Sequence, residues 1–186
     1  PITNDALVEG NENFSFSLGT ASGGVINTAQ KTTTITIQDD DKGVKLGAAS
    51  YSVAENAGSL SIPVQRIGLA SGTLSVNYAT TNGTAQAGSD YTASSGILSW
   101  ADGDSSDKTI QIPISADSLV ESTETLTLSL SNVSGGQLTS PSSASISIID
   151  DDNSVQFTVA SVTVTEGTNP SATLSVSRVG SAGLAA

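Results

Sequence analysis

The 186-residue chain contains no cysteine, no histidine and no methionine. Without cysteine there are no disulfides, no catalytic thiols and no thiolate zinc sites. Without histidine there are no imidazole bases and no imidazole metal ligands. Only six residues are Lys or Arg, against 18 Asp or Glu, for a formal charge of −12. That balance cannot supply the positive patch a nucleic acid requires, so no nucleic-acid partner is expected. No apolar run approaches the ~20 residues of a membrane-crossing helix, so no transmembrane segment is expected. Residue 1 is not a methionine and no signal sequence is visible, so the chain reads as a stretch of something longer.

What remains is enough to fold. Hydrophobic residues make up 37% and charged residues 13%, which is near-globular and too sparsely charged for disorder by self-repulsion. The acids are gathered at points on a surface otherwise made of Ser, Thr, Asn and Gly. They lie at Glu9 and Glu12, at Asp39, Asp40 and Asp41, at Asp117, Glu121 and Glu124, and at Asp150, Asp151 and Asp152, with Asp5, Glu55, Asp90 and Glu166 apart. An ordinary soluble surface intersperses both signs.

The chain also repeats. DALVEGNENFSFSL (5–18) matches DSLVESTETLTLSL (117–130), TTTITIQDDD (32–41) matches SASISIIDDD (143–152), Val44 to Glu55 matches Val155 to Glu166, and QRIG (65–68) matches SRVG (177–180). The offset is 111 or 112 residues throughout, which is the size of a domain and not of a solenoid unit. The expected organisation is the back part of one copy (1–41), one whole copy (42–152) and the front part of another (153–186), a window on a tandem array.

Period-two alternation sets the fold class. Strands are expected at 44–53, 59–66, 73–81, 96–100, 108–115, 124–131 and 143–149, with Gly, Asn, Asp and Ser between them and no helical periodicity. About seven short strands in ~110 residues predict an all-β, immunoglobulin-like antiparallel sandwich, repeated in tandem. If successive strands alternate in direction, Glu55, Asp90, Asp117, Glu121, Glu124 and residues 150–152 all come to one pole. Parity adds that Glu55 continues the inward row of Tyr51 and Val53, Glu124 that of Leu126 and Leu128, and Asp150 that of Ile146 and Ile148.

Eight carboxylates at one pole repel. At ~6 Å and an effective dielectric of ~20, each pair costs about 3 kcal/mol before salt screening. The acids spread into solvent as a solubilising rim, or protonate, or take cations between them. Inward parity and the lack of interspersed basic residues favour cations. Ligands that are all oxygen select a hard ion, and many carboxylates on flexible loops suit Ca²⁺ better than octahedral Mg²⁺. Eight acids exceed the need of one ion, so more than one Ca²⁺ per junction is expected.

The segments VAENAG (53–58), GSDY (88–91), ADSLVESTETLTLSLSN (116–132) and ASISIIDDD (144–152) together resemble the Calx-β domain, the immunoglobulin-like Ca²⁺-binding module of sodium–calcium exchangers. The resemblance covers all of 42–152 and, as partial copies, nearly the whole chain. It implies Ca²⁺ ligands at Glu55, Asp90, Asp117, Glu121, Glu124, Asp150, Asp151 and Asp152, with a backbone carbonyl from Leu119. Ala116 stands where the exchanger domain has an acid. In the preceding copy Asp5, Glu9, Glu12, Asp39, Asp40 and Asp41 match, and Glu166 holds the motif position in the following one.

Three functions compete. The first is structural: Ca²⁺ at the junctions, across the short linkers Lys42-Gly43 and Asn153-Ser154, rigidifies a secreted adhesin, surface fibre or matrix filament at a bacterial cell surface or outside the cell. Its partners would be neighbouring repeats, and charge-poor edge strands would permit homotypic assembly. The second is a regulatory Ca²⁺ sensor like the exchanger's. The third, a glycosidase built on paired carboxylates, lacks aromatic sugar platforms, so the chain is read as no enzyme. One cluster stands apart: ADGDSSD (101–107) falls at the opposite pole and reads as a polar turn with Gly103 at positive φ, or as extra oxygens for the preceding junction. Trp100 reads as core.

Overall fold

The computed structural model describes residues 1–167 and 171–180. Strands β1 (Glu12–Ser17) and β2 (Thr32–Ile37) form an antiparallel pair, Glu12 opposite Ile37 and Ser17 opposite Thr32. The whole copy contains β3 (Lys42–Leu46), β4 (Ser50–Ala54), β5 (Ser59–Gly68), β6 (Leu74–Asn82), β7 (Ser95–Trp100), β8 (Lys108–Pro113), β9 (Glu124–Ser134), β10 (Gln137–Leu138) and β11 (Ser143–Ile149). Beyond it, β12 (Asn153–Phe157) pairs with β13 (Val176–Gly180). Of the expected third copy, residues 168–170 and 181–186 lie outside the described residues.

Two sheets make the sandwich, in the orders β10-β3-β5-β8 and β4-β11-β9-β6-β7. Every alternating strand contributes its inner row: Val44 and Leu46, Ile62 and Val64, Leu74 and Val76, Ile110 and Ile112, Leu126 and Leu128, Ile146 and Ile148 are all at most 4% exposed. Trp100 is in this core at 1%. Each such aliphatic side chain contributes roughly 1.5–3 kcal/mol, and this core does the whole work of a chain without disulfides. No helix of the described residues is long and apolar enough to cross a membrane.

One strand expectation needs correction. Residues 44–53 are not continuous. The chain breaks after Leu46, and its two pieces join opposite sheets, β3 against β5 and β4 parallel to β11. At the crossing, Gly47 lies so close to Pro63 that a Cβ would stand 2.6 Å from the proline ring. Alternation cannot reveal such a crossing, because both pieces face the same core. The presumed linkers are also absent: β3 starts at Lys42 and β12 at Asn153, directly after the acidic triplets.

The chain on either side of Asp41 and Lys42 is held closely. The Leu69 N–H donates to the Asp41 carbonyl at 3.0 Å. Gly68 has φ +75°, and a Cβ there would stand 2.3 Å from that carbonyl oxygen and 3.0 Å from Val8. Gly180 repeats the arrangement against the Asp152 carbonyl, with φ +116°.

Nearby, at the pole opposite the acids, Arg66 is buried at 6% exposure. Its guanidinium donates to the carbonyls of Leu69, Ser71, Gly72, Ala101 and Asp104. Charge-assisted bonds of this number offset the cost of burying the cation. Residues 101–107 close on themselves in the same region. Asp102 accepts from Gly72 N–H at 2.6 Å, Asp104 from Ser106 and from Lys108 at 2.7 Å, and Asp107 from Gln65 at 3.3 Å. The Lys108 and Ser106 bonds hold Asp104 well below the usual carboxylate range. With Gly103 at φ +81°, this is the polar turn, its carboxylates already partnered.

Candidate metal centre

Strand register assembles the acidic pole. Ile148 of β11 lies opposite Glu124 of β9 and beside Val53 of β4. One step past these pairs, Glu55 leaves β4 into a short 3₁₀ turn (Glu55–Ala57) and Asp150 leaves β11. The inner rows thus end in carboxylates: Glu55 is 4% exposed and Asp150 8%. The loop after β8 brings Asp117 and Glu121, and the loop after β6 brings Asp90. Glu55, Asp90, Asp117, Glu121, Glu124 and Asp150, with Ser115, Ser122 and Ile148, line a cavity of about 10 Å³, room for one water or one bare cation.

Within the pole two triads separate. Glu55, Asp117 and Asp152 each present a carboxylate oxygen within 4.8 Å of the other two, and so do Asp90, Glu121 and Glu124. Backbone bonds fix their outlines. The Asp117 N–H donates to Glu55 Oε1 at 2.6 Å, and the Leu119 N–H to Asp117 Oδ1 at 2.6 Å. Gln86 N–H donates to Asp90 Oδ2 at 2.6 Å, and Asp152 N–H to Asp150 Oδ1 at 3.3 Å. Leu119 itself is 60% exposed. Asp151 accepts from the Asn56 side-chain amide and belongs to neither triad.

The electrostatics are those of anions without counter-charge. Burial, then the charges of Asp117, Asp152 and Asp150, raises the Glu55 pKa against the opposing Asp117 N–H. Burial first, and then neighbouring acids, raises Glu121 and Asp152. Glu124 is pushed up to about 7 by burial, by its bond with Asp90 and by the charges of Asp90, Glu121 and Glu55. Asp90 goes the other way. Burial works to raise it, but bonds from Gln86 N–H, Glu124 and Ser89 hold it below the ordinary range. Of this pair, Glu124 is the one whose protonated form is favoured and Asp90 the one whose charge is favoured. Asp152 Oδ2 is fully buried and, among the described residues, is the buried side-chain polar atom with no hydrogen-bond partner. A buried carboxylate oxygen left alone is unfavourable unless something positive meets it.

The donor set fits a hard divalent ion. Two oxygens bound to one Ca²⁺ at about 2.4 Å can stand no more than about 4.8 Å apart, which is the span within which each triad lies.

The other expected ligands are arranged differently. Asp39 takes the N–H groups of Glu9 (3.0 Å), Gly10 (2.8 Å) and Asp41 (3.0 Å), and these lower its pKa. Glu9 is raised, chiefly by Asp5, and Asp41 by burial and by Asp40 and Asp39. The acids of this half copy, Asp5, Glu9, Glu12 and residues 39–41, line a wide, open depression and form no triad among the described residues. Glu166 is exposed, and its flanking Val162 and Val164 are 43% and 44% exposed. Sequence reasoning missed Asn56, Ser115 and Ser122; the N in VAENAG was a visible signal, whereas two serines in a Ser-rich chain carry none.

Comparison with known proteins gives a consistent answer. The family model described as the Calx-beta domain matches residues 1–41 and 38–152. The sodium/calcium exchanger Calx of Drosophila melanogaster is 36% identical over 108 residues, covering 58% of this chain and 11% of the exchanger. Sodium/calcium exchanger 1 of Canis lupus familiaris is 31% identical over 128 residues, covering 59% of this chain and 13% of the exchanger. The chain thus spans little more than a tenth of the length of these relatives. Among solved structures, the apo-form Calx CBD1 domain aligns at TM-score 0.58 and 33% identity, over 61% of this chain and all of that one. The calcium binding domain CBD12 of CALX1.1 aligns at TM-score 0.57 and 34% identity, over 62% of this chain and 50% of that one.

Proposed function

The chain belongs to the Calx-beta domain family, and from that premise we propose that residues 42–152 form a whole repeat that binds Ca²⁺ at its acidic pole and serves as a regulatory, ion-sensing module of a longer protein. The buried, orphaned Oδ2 of Asp152, a member of one carboxylate triad, carries this reading. Glu55, Asp117 and Asp152 would hold one ion and Asp90, Glu121 and Glu124 a second. Asp150, Asp151 and the Leu119 carbonyl are the remaining donors. The ions supply the positive charge this pole lacks; the chain supplies preformed oxygens, held by Gln86 N–H on one side and Asp117 N–H on the other. The relatives named as sodium/calcium exchangers and calcium binding domains support a sensing role.

Calorimetric titration of Ca²⁺ into the chelator-stripped chain tests the proposal. Saturable uptake of two ions, at roughly 10⁻⁷–10⁻⁵ M as sensors require, is expected. No heat, together with an unchanged melting temperature in Ca²⁺, would sink it.

A second reading has its own observation. The seam at Asp41, Leu69 and Gly68 leaves little slack between copies, which suits a Ca²⁺-stiffened repeat of an extracellular adhesin or fibre, with neighbouring repeats as partners. Such a role calls for sites of roughly 10⁻⁴–10⁻³ M, so the same titration separates the two.

A further inference from the structure

Asp90 stands on a loop that gives little reason for order. Between Asn82 and Tyr91 the chain runs GTAQAGSD, with two glycines and one buried side chain, Ala85. Free loops of this kind have much conformational entropy to lose. This one is instead held from below. Tyr91 is 1% exposed, and its hydroxyl donates to Asn82 Oδ1 at 2.6 Å. The same oxygen accepts the Ala87 N–H at 3.1 Å. Asn82 Nδ2 donates to Gln86 Oε1 at 3.0 Å, and Gln86 Nε2 donates to the carbonyls of Gly83 and Thr84, both at 3.0 Å. From Gln86 the path reaches the acid: its N–H donates to Asp90 Oδ2 at 2.6 Å, and the Asp90 N–H returns to the Gln86 carbonyl at 3.0 Å.

The same loop is clamped beside Glu124. Thr125 N–H donates to Thr84 Oγ1 at 2.8 Å, and Ala85 N–H to the Thr125 carbonyl at 3.0 Å. Gly83 lies so near that a Cβ would stand 2.4 Å from the same carbonyl. Asp90 and Glu124 are therefore fixed to one frame whose members are not themselves acids.

We propose that Tyr91, Asn82 and Gln86 are positioning residues that set Asp90 against Glu124 before a cation arrives, so that affinity at the second triad depends on a phenol hydroxyl bonded to none of the acids. The inference rests on the reading of that triad as a Ca²⁺ site. Outer partners of metal ligands characteristically change affinity 10–100-fold when removed.

Tyr91→Phe keeps the buried ring and deletes the hydroxyl; Gln86→Ala, at an exposed position, deletes three side-chain bonds and keeps the N–H. Both are compared with the natural chain in two measurements. In Ca²⁺ calorimetry, one of the two binding steps is expected to weaken about tenfold in either variant, the other staying in place. In chelator, hydrogen exchange at the Gln86 and Asp90 amides is expected to speed up in both. A lowered melting temperature with both binding steps intact would assign these residues a merely structural role and overturn the proposal, as would unchanged amide exchange. If the natural chain takes up no Ca²⁺ at all, the proposed function fails and the ionic part of this inference falls with it, while amide exchange still decides whether the frame exists.

Discussion

Residues 5–18 and 32–41 spell nearly the same motif as residues 117–130 and 143–152, and the two copies meet different fates. In the whole copy Leu126, Leu128 and Ile146 are at most 1% exposed; their counterparts Phe14, Phe16 and Ile35 are 45%, 63% and 38% exposed. The acids follow the apolar rows. Asp39 and its counterpart Asp150 each accept the N–H two residues on, but Asp39 also accepts those of Glu9 and Gly10; Asp152, the counterpart of Asp41, keeps a buried oxygen with no partner. In residues 1–41 the Glu9 and Gly10 N–H groups donate to Asp39. In residues 42–152 the Asp117 N–H donates to Glu55. Each triad joins two acids of the repeated motif to one from outside it, Glu55 in one and Asp90 in the other.

The comparison can be broken most forcefully in the core. Leu128→Ala should lower stability by about 2–5 kcal/mol, and Phe16→Ala, at an exposed position, by no more than about 0.5 kcal/mol; denaturant melts of both variants measure this, and equal losses would mean that the leading half copy is packed after all. Next comes the site. Glu55→Gln is expected to weaken Ca²⁺ binding about a hundredfold by removing a buried charged ligand, while Glu166→Gln leaves the isotherm where it was.

A smaller effect concerns pH. Glu124 keeps its proton up to about pH 7, and a cation must displace it, so Ca²⁺ affinity at the second triad should fall by about tenfold for each pH unit below 7. Without metal the sign reverses. Between the ordinary glutamate value and about 7 the folded chain binds a proton that the unfolded chain has released, so stability is highest at the acid end of this window and falls as pH rises. Melting temperatures in chelator at pH 5 and pH 8 would show it, and a higher value at pH 8 would contradict the raised Glu124 pKa. The least effect belongs to Asp41→Asn, in the half copy without a triad, for which no change in Ca²⁺ uptake is expected.

Much of this was legible in advance, and the particular residues say why. Val53 with Glu55, Leu128 with Glu124, and Ile148 with Asp150 reveal by parity alone that the inner rows end in acids. Alternating strand direction then brings them to one end, as the observed parallel and antiparallel pairings do. Two things were not legible. The crossing at Gly47 leaves the alternation untouched while moving the chain between sheets. The division of one acidic pole into two triads depends on backbone N–H groups, those of Gln86 and Asp117, and every residue but proline carries one, so composition says nothing about which will be used.

Arg66 gives the two ends of the sandwich unequal lives. At its end the positive charge is part of the polypeptide, gripped by five carbonyls, and no chelator can withdraw it. The other end must borrow its charge from the medium. When the medium is depleted, fraying and proteolytic nicking should start at the borrowing end alone and leave the arginine end standing.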